Sequence, residues 1–102
     1  MNGSPAPHTA ADHFRFRLFV AGTAPRSLRA VESVRRICET HLADGYELEI
    51  VDIYQQPELA REQQILAAPT LVRAWPLPRR QVIGDLSARD RVLAALGLPL
   101  AE

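Results

Sequence analysis

The sequence predicts an α/β domain of three layers, a sheet with helices on both faces, in the order β-α-β-α-β-β-α. Three observations carry that expectation. Phe14–Ala21 alternates with period two, Leu28 to Leu42 recurs at helical spacing, and Tyr46–Tyr54 is a second extended apolar run. A strand, a helix and a strand in succession form a right-handed crossover with parallel strands. Beyond it the chain is punctuated by Pro57, Pro69, Pro76 and Pro78 into shorter pieces. At 102 residues the chain suffices for one core and not for two.

In the first strand Phe14, Phe16, Leu18 and Val20 share one face, and Arg15 and Arg17 take the other. Phe19 and Ala21 make that second face apolar near its end, as a sheet covered on both sides requires. Gly22 breaks the pattern. Pro25 suits a first helical turn, where its missing N–H has no partner to lose. Leu28, Val31, Val34, Ile37, Cys38 and Leu42 then form an apolar stripe, and Gly45 is expected to close the helix. Pro57 starts a shorter helix, Glu58–Leu66, which Pro69 stops. Thr70–Trp75 and Gln81–Ile83 read as antiparallel strands joined through the stiff Pro76-Leu77-Pro78 connection. A last helix, Ser87–Leu96, takes Ser87 as its cap, accepting from the Asp90 N–H, and Gly97 ends it. Residues 1–13 read as a disordered tail, 14–98 as the domain and 99–102 as a short second tail.

Twelve basic residues, all arginine, balance twelve acidic ones. That cancellation excludes nucleic-acid binding driven by phosphate neutralisation. No apolar stretch approaches the roughly 20 residues of a membrane span, and residues 1–12 lack a secretory pattern, so a cytoplasmic protein is expected. The single cysteine, Cys38, has no internal partner and reads as a small core residue. His8 and His13 are too weak a pair for a metal site, and neither metal nor cofactor is expected.

Ala67-Ala68-Pro69-Thr70-Leu71, set before the third strand, resembles the proline segment of the thioredoxin fold. A thioredoxin's Cys-x-x-Cys would follow the first strand, where this chain reads Gly22-Thr23-Ala24-Pro25. Longer runs point more narrowly. Phe19–Pro25, Val51-Asp52-Ile53, Pro57-Glu58-Leu59-Ala60, Ile65–Leu71, Pro76-Leu77-Pro78 and Ile83-Gly84-Asp85-Leu86-Ser87 resemble, in order, the motifs of the circadian clock KaiB family. The resemblance spans about Phe14 to Leu98. It implies a thioredoxin-like, metamorphic protein without enzymatic activity that binds the KaiC ATPase and affects its phosphorylation cycle. It also implies competition with a SasA-like histidine kinase. A second arrangement of the C-terminal half is implied as well, in which the chain forms a homo-oligomer, a dimer or tetramer.

On that basis the partner-binding candidates are Arg29, Glu47, Glu49 and Gln64. Cyanobacterial members carry basic residues at the positions of Glu49 and Gln64, which implies a homologue outside the cyanobacterial clock. Pro69, Pro76 and Pro78 are the candidates for cis peptide bonds and for the border of the refolding half. Ala94 and Ala95 favour helix, so the thioredoxin-like state is expected to dominate. The alternative functions are an adaptor or sensor domain for a signalling kinase, or an atypical redox or stress protein. Among other residues, Trp75 reads as half-buried packing, Asp52 as solvated or paired near its strand end and His41 as structural at a helix C-terminus. Thr23 has no base near it in sequence, and Arg15, Arg17, Arg73, Arg79 and Arg80 read as a solvated face.

Overall fold

The structure, a computed structural model, describes residues 13–42 and 45–98. The tails expected at 1–12 and 99–102, with His8, lie outside the described residues. The elements are β1 (Phe14–Val20), α1 (Pro25–His41), β2 (Tyr46–Asp52), α2 (Pro57–Glu62), β3 (Thr70–Trp75), β4 (Arg80–Ile83) and α3 (Arg89–Leu96). The sheet runs β2-β1-β3-β4, with β1 and β2 parallel and β3 antiparallel to both β1 and β4.

Strand alternation divides the core between the two faces of this sheet. On one face Phe16, Leu18 and Val20 of β1 meet Leu71 of β3 and Val82 of β4 under α1 and α3. On the other, Phe19, Val51 and Val72 pack with Ala60 of α2, with Leu59 and Ile65 against them. Because α2 is only six residues long, it covers one end of its face. Cross-strand charge pairs occupy the rest. Arg15 stands opposite Glu47 and Arg17 opposite Glu49 in the parallel register. Arg17 Nε lies 3.0 Å and Arg15 Nε 3.7 Å from the partner carboxylates, and His13 Nε2 is 3.3 Å from Glu47.

Several expected details are corrected. Leu28 is 52% exposed, and Ser27 and Ala30 replace it on the buried stripe of α1. That helix ends at His41, short of Gly45, with the Leu42 N–H donating to Cys38 O at 2.8 Å. The second helix stops at Glu62 rather than Leu66. Gln64 takes a left-handed φ of 58° there. Its N–H donates to Arg61 O and that of Ile65 to Ala60 O, at 3.0 and 2.9 Å. This is a Schellman closure, with Ile65 packed beside Ala60. Leu66, the expected last residue of that helix, is thereby turned out and is 93% exposed.

Ser87 does not cap α3. The helix starts at Arg89, with Ala88 before it and no side-chain cap, and Asp90 instead pairs with Arg89. Both the N–H and the hydroxyl of Ser87 donate to Asp85 Oδ1, closing a local turn that competes with helix capping. Gly97 does end α3, at φ 73°, with its N–H on Ala94 O and that of Leu98 on Leu93 O. No helix among the described residues is long and apolar enough to cross a membrane.

Candidate partner-binding surface

The turn from β1 into α1 occupies the position of a thioredoxin's redox motif, and backbone hydrogen bonds fill it. The Ala21 N–H donates to the buried Ser27 Oγ at 3.0 Å, and the Ala24 N–H to Ala21 O at 3.1 Å. Gly22 is left-handed, φ 54°, and its N–H reaches Asp52 Oδ1 at 3.2 Å. The same oxygen accepts from the Tyr54 N–H at 2.9 Å. Asp52 thus ties the β1–α1 turn to the loop after β2, a structural use of its carboxylate. Thr23 is exposed, and the described histidines stand at the far ends of β1 and α1, so neither serves it as a base. Cys38 is buried inside α1, where desolvation, aided by Glu39, pushes its thiol up to about 12. A protonated, enclosed thiol is a poor nucleophile. Among the described residues no group of three His, Cys, Asp or Glu side chains is arranged to hold a metal.

Two depressions stand out among the described residues. An open cleft of about 480 Å³ lies between α1 and the segment before α3. Arg26, Arg29 and Glu32 of α1 face Pro69, Asp85 and Ser87 across it. The Asp85 carboxyl is held below its ordinary range by its two hydrogen bonds from Ser87, helped by Arg91 and Arg26. Arg91 Nη2 also donates to Asp85 O at 2.8 Å, so the Gly84–Ser87 run is fastened to α3.

The second depression, of about 750 Å³, is the more apolar. Ile53, Tyr54, Pro57, Gln64, Ile65 and Leu66 line it on the α2 side. Tyr54 and Leu66 are 72% and 93% exposed, and Gln64 stands between α2 and Leu66. Large exposed apolar side chains with polar residues at their rim are the pattern of a protein-binding surface.

The fold does not gather the sequence-predicted contacts into one place. Arg29 lies in the cleft beside α1. Glu47 and Glu49 lie on β2, an edge strand, already engaged by Arg15 and Arg17. Gln64 belongs to the apolar surface at the end of α2. Pro69, Pro76 and Pro78 each follow a cis peptide bond; Pro69 is buried against the cleft, and the other two lie in the β3–β4 turn.

The expected arginine face is also corrected. Arg15 and Arg17 are in it, but Arg73 is only 6% exposed. Its Nη1 donates to Leu96 O at 2.7 Å and its Nη2 to Pro78 O at 2.8 Å. A charged residue in a strand reads as surface. The signal that could have found this one is position, because Leu71 and Arg73 alternate onto the face that α3 covers. Arg79, by contrast, spans to the end of α2, with Nη2 on Gln63 O at 3.0 Å. Trp75, expected half-buried, is on the exposed end of β3, 39% accessible.

The comparisons with known proteins agree with this geometry. Residues 17–98 match the KaiB domain. The circadian clock oscillator protein KaiB of Synechococcus sp. (strain RCC307) is 49% identical over 86 residues, which is 84% of this chain and 78% of the relative. Its counterpart in Synechococcus elongatus is 44% identical over 86 residues, 84% of each chain. Among solved structures, the N-terminal domain of Synechococcus elongatus SasA superposes with a TM-score of 0.71 at 26% identity, covering 90% of this chain and 87% of that one. The germline-specific thioredoxin Deadhead of Drosophila melanogaster gives 0.67 at 18% identity, over 87% and 86% of the two chains, a likeness of fold alone.

Proposed function

This chain belongs to the KaiB family, and from that premise we propose that it is a non-enzymatic regulator that binds a KaiC-type ATPase in the cytoplasm and modulates its phosphorylation and ATPase cycle. The observation that carries the reading is the match of residues 17–98 to the KaiB domain, with 49% identity to a circadian clock oscillator protein. The surface chemistry supports it. The thioredoxin-like frame has no thiol at Gly22–Pro25, its one cysteine is buried, and the more apolar of the two depressions is open.

In this reading Gln64, with Tyr54 and Leu66 around it, forms the apolar part of the contact. Glu47 and Glu49 supply charge along the β2 edge, and Arg29 serves a second contact from α1. Because Glu49 and Gln64 stand where cyanobacterial members are basic, the partner's complementary surface is less acidic than theirs. A second arrangement of the C-terminal half, with Pro69, Pro76 and Pro78 at its border and a homo-oligomeric assembly, belongs to the same proposal.

The test is enzymatic on the partner's side. ATP hydrolysis and phosphorylation of the KaiC-type ring from the same organism are followed with and without the chain. A change in either rate that Gln64→Ala or Leu66→Ala weakens supports the proposal, and no change at saturating chain counts against it. The likeness to the SasA N-terminal domain favours one second reading, a sensor or adaptor for a histidine kinase, with which a KaiB-like protein also competes. A pull-down that recovers a histidine kinase and no ATPase selects that reading.

A further inference from the structure

Arg73 has left water almost completely, and its surroundings compensate it only in part. Nη1 and Nη2 each have a backbone carbonyl, Leu96 O and Pro78 O. Nε is buried with no partner, and no carboxylate among the described residues pairs with the guanidinium. Burial, with the neighbouring Arg80 charge, pulls its pKa below the ordinary guanidinium value. A buried cation without a counter-charge is a weak source of net stability. What it supplies is geometry, because a planar fork spans two fixed acceptors at once in a way that a flexible ammonium does not.

The two acceptors belong to different elements. Leu96 O is one of the last-turn carbonyls of α3, which the end of a helix leaves without an intrahelical partner. A cation there also meets the negative end of the helix dipole. Pro78 O belongs to the turn between β3 and β4. Gly97 keeps the approach open, since a Cβ at that position would stand 3.2 Å from Arg73 Nη1. At its other end α3 has no side-chain cap. If either acceptor moves away, half of a buried fork is left unpaired, which penalises opening one element without the other.

We propose that Arg73 joins the β3–β4 turn and the C-terminal end of α3 into one opening unit, so that neither leaves β3 alone. Native-state hydrogen exchange of the full chain, read by NMR, tests this in the wild type, Arg73→Met and Arg73→Lys. The reporters are the Gly97 and Leu98 amides at the end of α3 and the β4 amides paired to β3. In the wild type both groups are expected to share one protection factor within about twofold and one dependence on denaturant. In Arg73→Met the α3 amides lose at least tenfold protection and the two groups separate, while β1 and β2 amides change by less than threefold. Arg73→Lys keeps the charge but not the fork, and the groups separate there too. Unequal protection in the wild type, coincident exchange persisting in either variant, or a uniform loss reaching β1 and β2 would overturn the proposal. The wild-type comparison stands even where the Met variant fails to fold.

Discussion

Gly97→Ala probes the packing around α3 most sharply. Two costs add in it. At φ 73° a side chain sits in the left-handed region, for about 1 kcal/mol. The new methyl also meets Arg80 Nε at 3.1 Å and Arg73 Nη1 at 3.2 Å. Arg80 is exposed and swings aside, whereas Arg73 is held by two carbonyls and gives way only by straining its bond to Leu96 O. A hydrogen bond to a charged group is worth about 1.5–3 kcal/mol. The expected loss therefore exceeds the left-handed strain of about 1 kcal/mol and reaches at most about 4 kcal/mol, a large share of the stability of a domain this size. Urea unfolding followed by the fluorescence of Trp75, the only tryptophan, measures it. The same substitution in an Arg73→Met background is expected to cost only the left-handed strain, about 1 kcal/mol. A loss below about 0.5 kcal/mol, or the same loss in both backgrounds, refutes the reasoning.

Gln64→Gly removes a Cβ from a residue at φ 58° and is expected to raise stability by roughly 0.5–1 kcal/mol despite glycine's looser unfolded chain, seen as a higher urea midpoint; a lower midpoint contradicts the Schellman closure of α2. Cys38, with its folded pKa raised to about 12 from 9.0, leaves stability unaffected below about pH 9 and lowers it as pH rises towards 12, because the unfolded chain releases the proton first. At pH 8 its alkylation should be slow in the native protein and fast in urea, and rapid native labelling would show that the thiol is not enclosed.

The βαβ half was legible because its signals are local and redundant. Alternation in β1, Pro25 at the start of α1 and the paired apolar runs each point the same way. Gly97 was legible because glycine after an apolar helical stripe marks a left-handed closure, a cue that misled at Gly45, where α1 has already ended at His41. The end of α2 was not, because Gln64 adopts that conformation without being glycine, and only Ile65, bonded to Ala60 O and packed on the second core cluster, reveals why. Ser87 misled because a cap and a side-chain turn use the same hydroxyl, and Asp85 two residues earlier wins it. Of the candidate site, the sequence could nominate Arg29, Glu47, Glu49 and Gln64 one by one. It could not show that they fall on separate surfaces, which the sheet order decides, nor that Tyr54 and Leu66 stand open beside Gln64, which depends on how α2 ends. Arg73 stayed hidden because burial of a charge is decided by the partners that reach it, and Pro78 O and Leu96 O lie 5 and 23 residues away.

The central claim, a protein that works by binding a KaiC-type ATPase, is tested most directly by co-elution. The chain is incubated with the ATPase ring from the same organism, across nucleotide and phosphorylation states, and resolved by size-exclusion chromatography with light scattering. The account predicts a complex in at least one state, weakened by Gln64→Ala or Leu66→Ala and untouched by Cys38→Ala. Absence of a complex in every state after long incubation would contradict it.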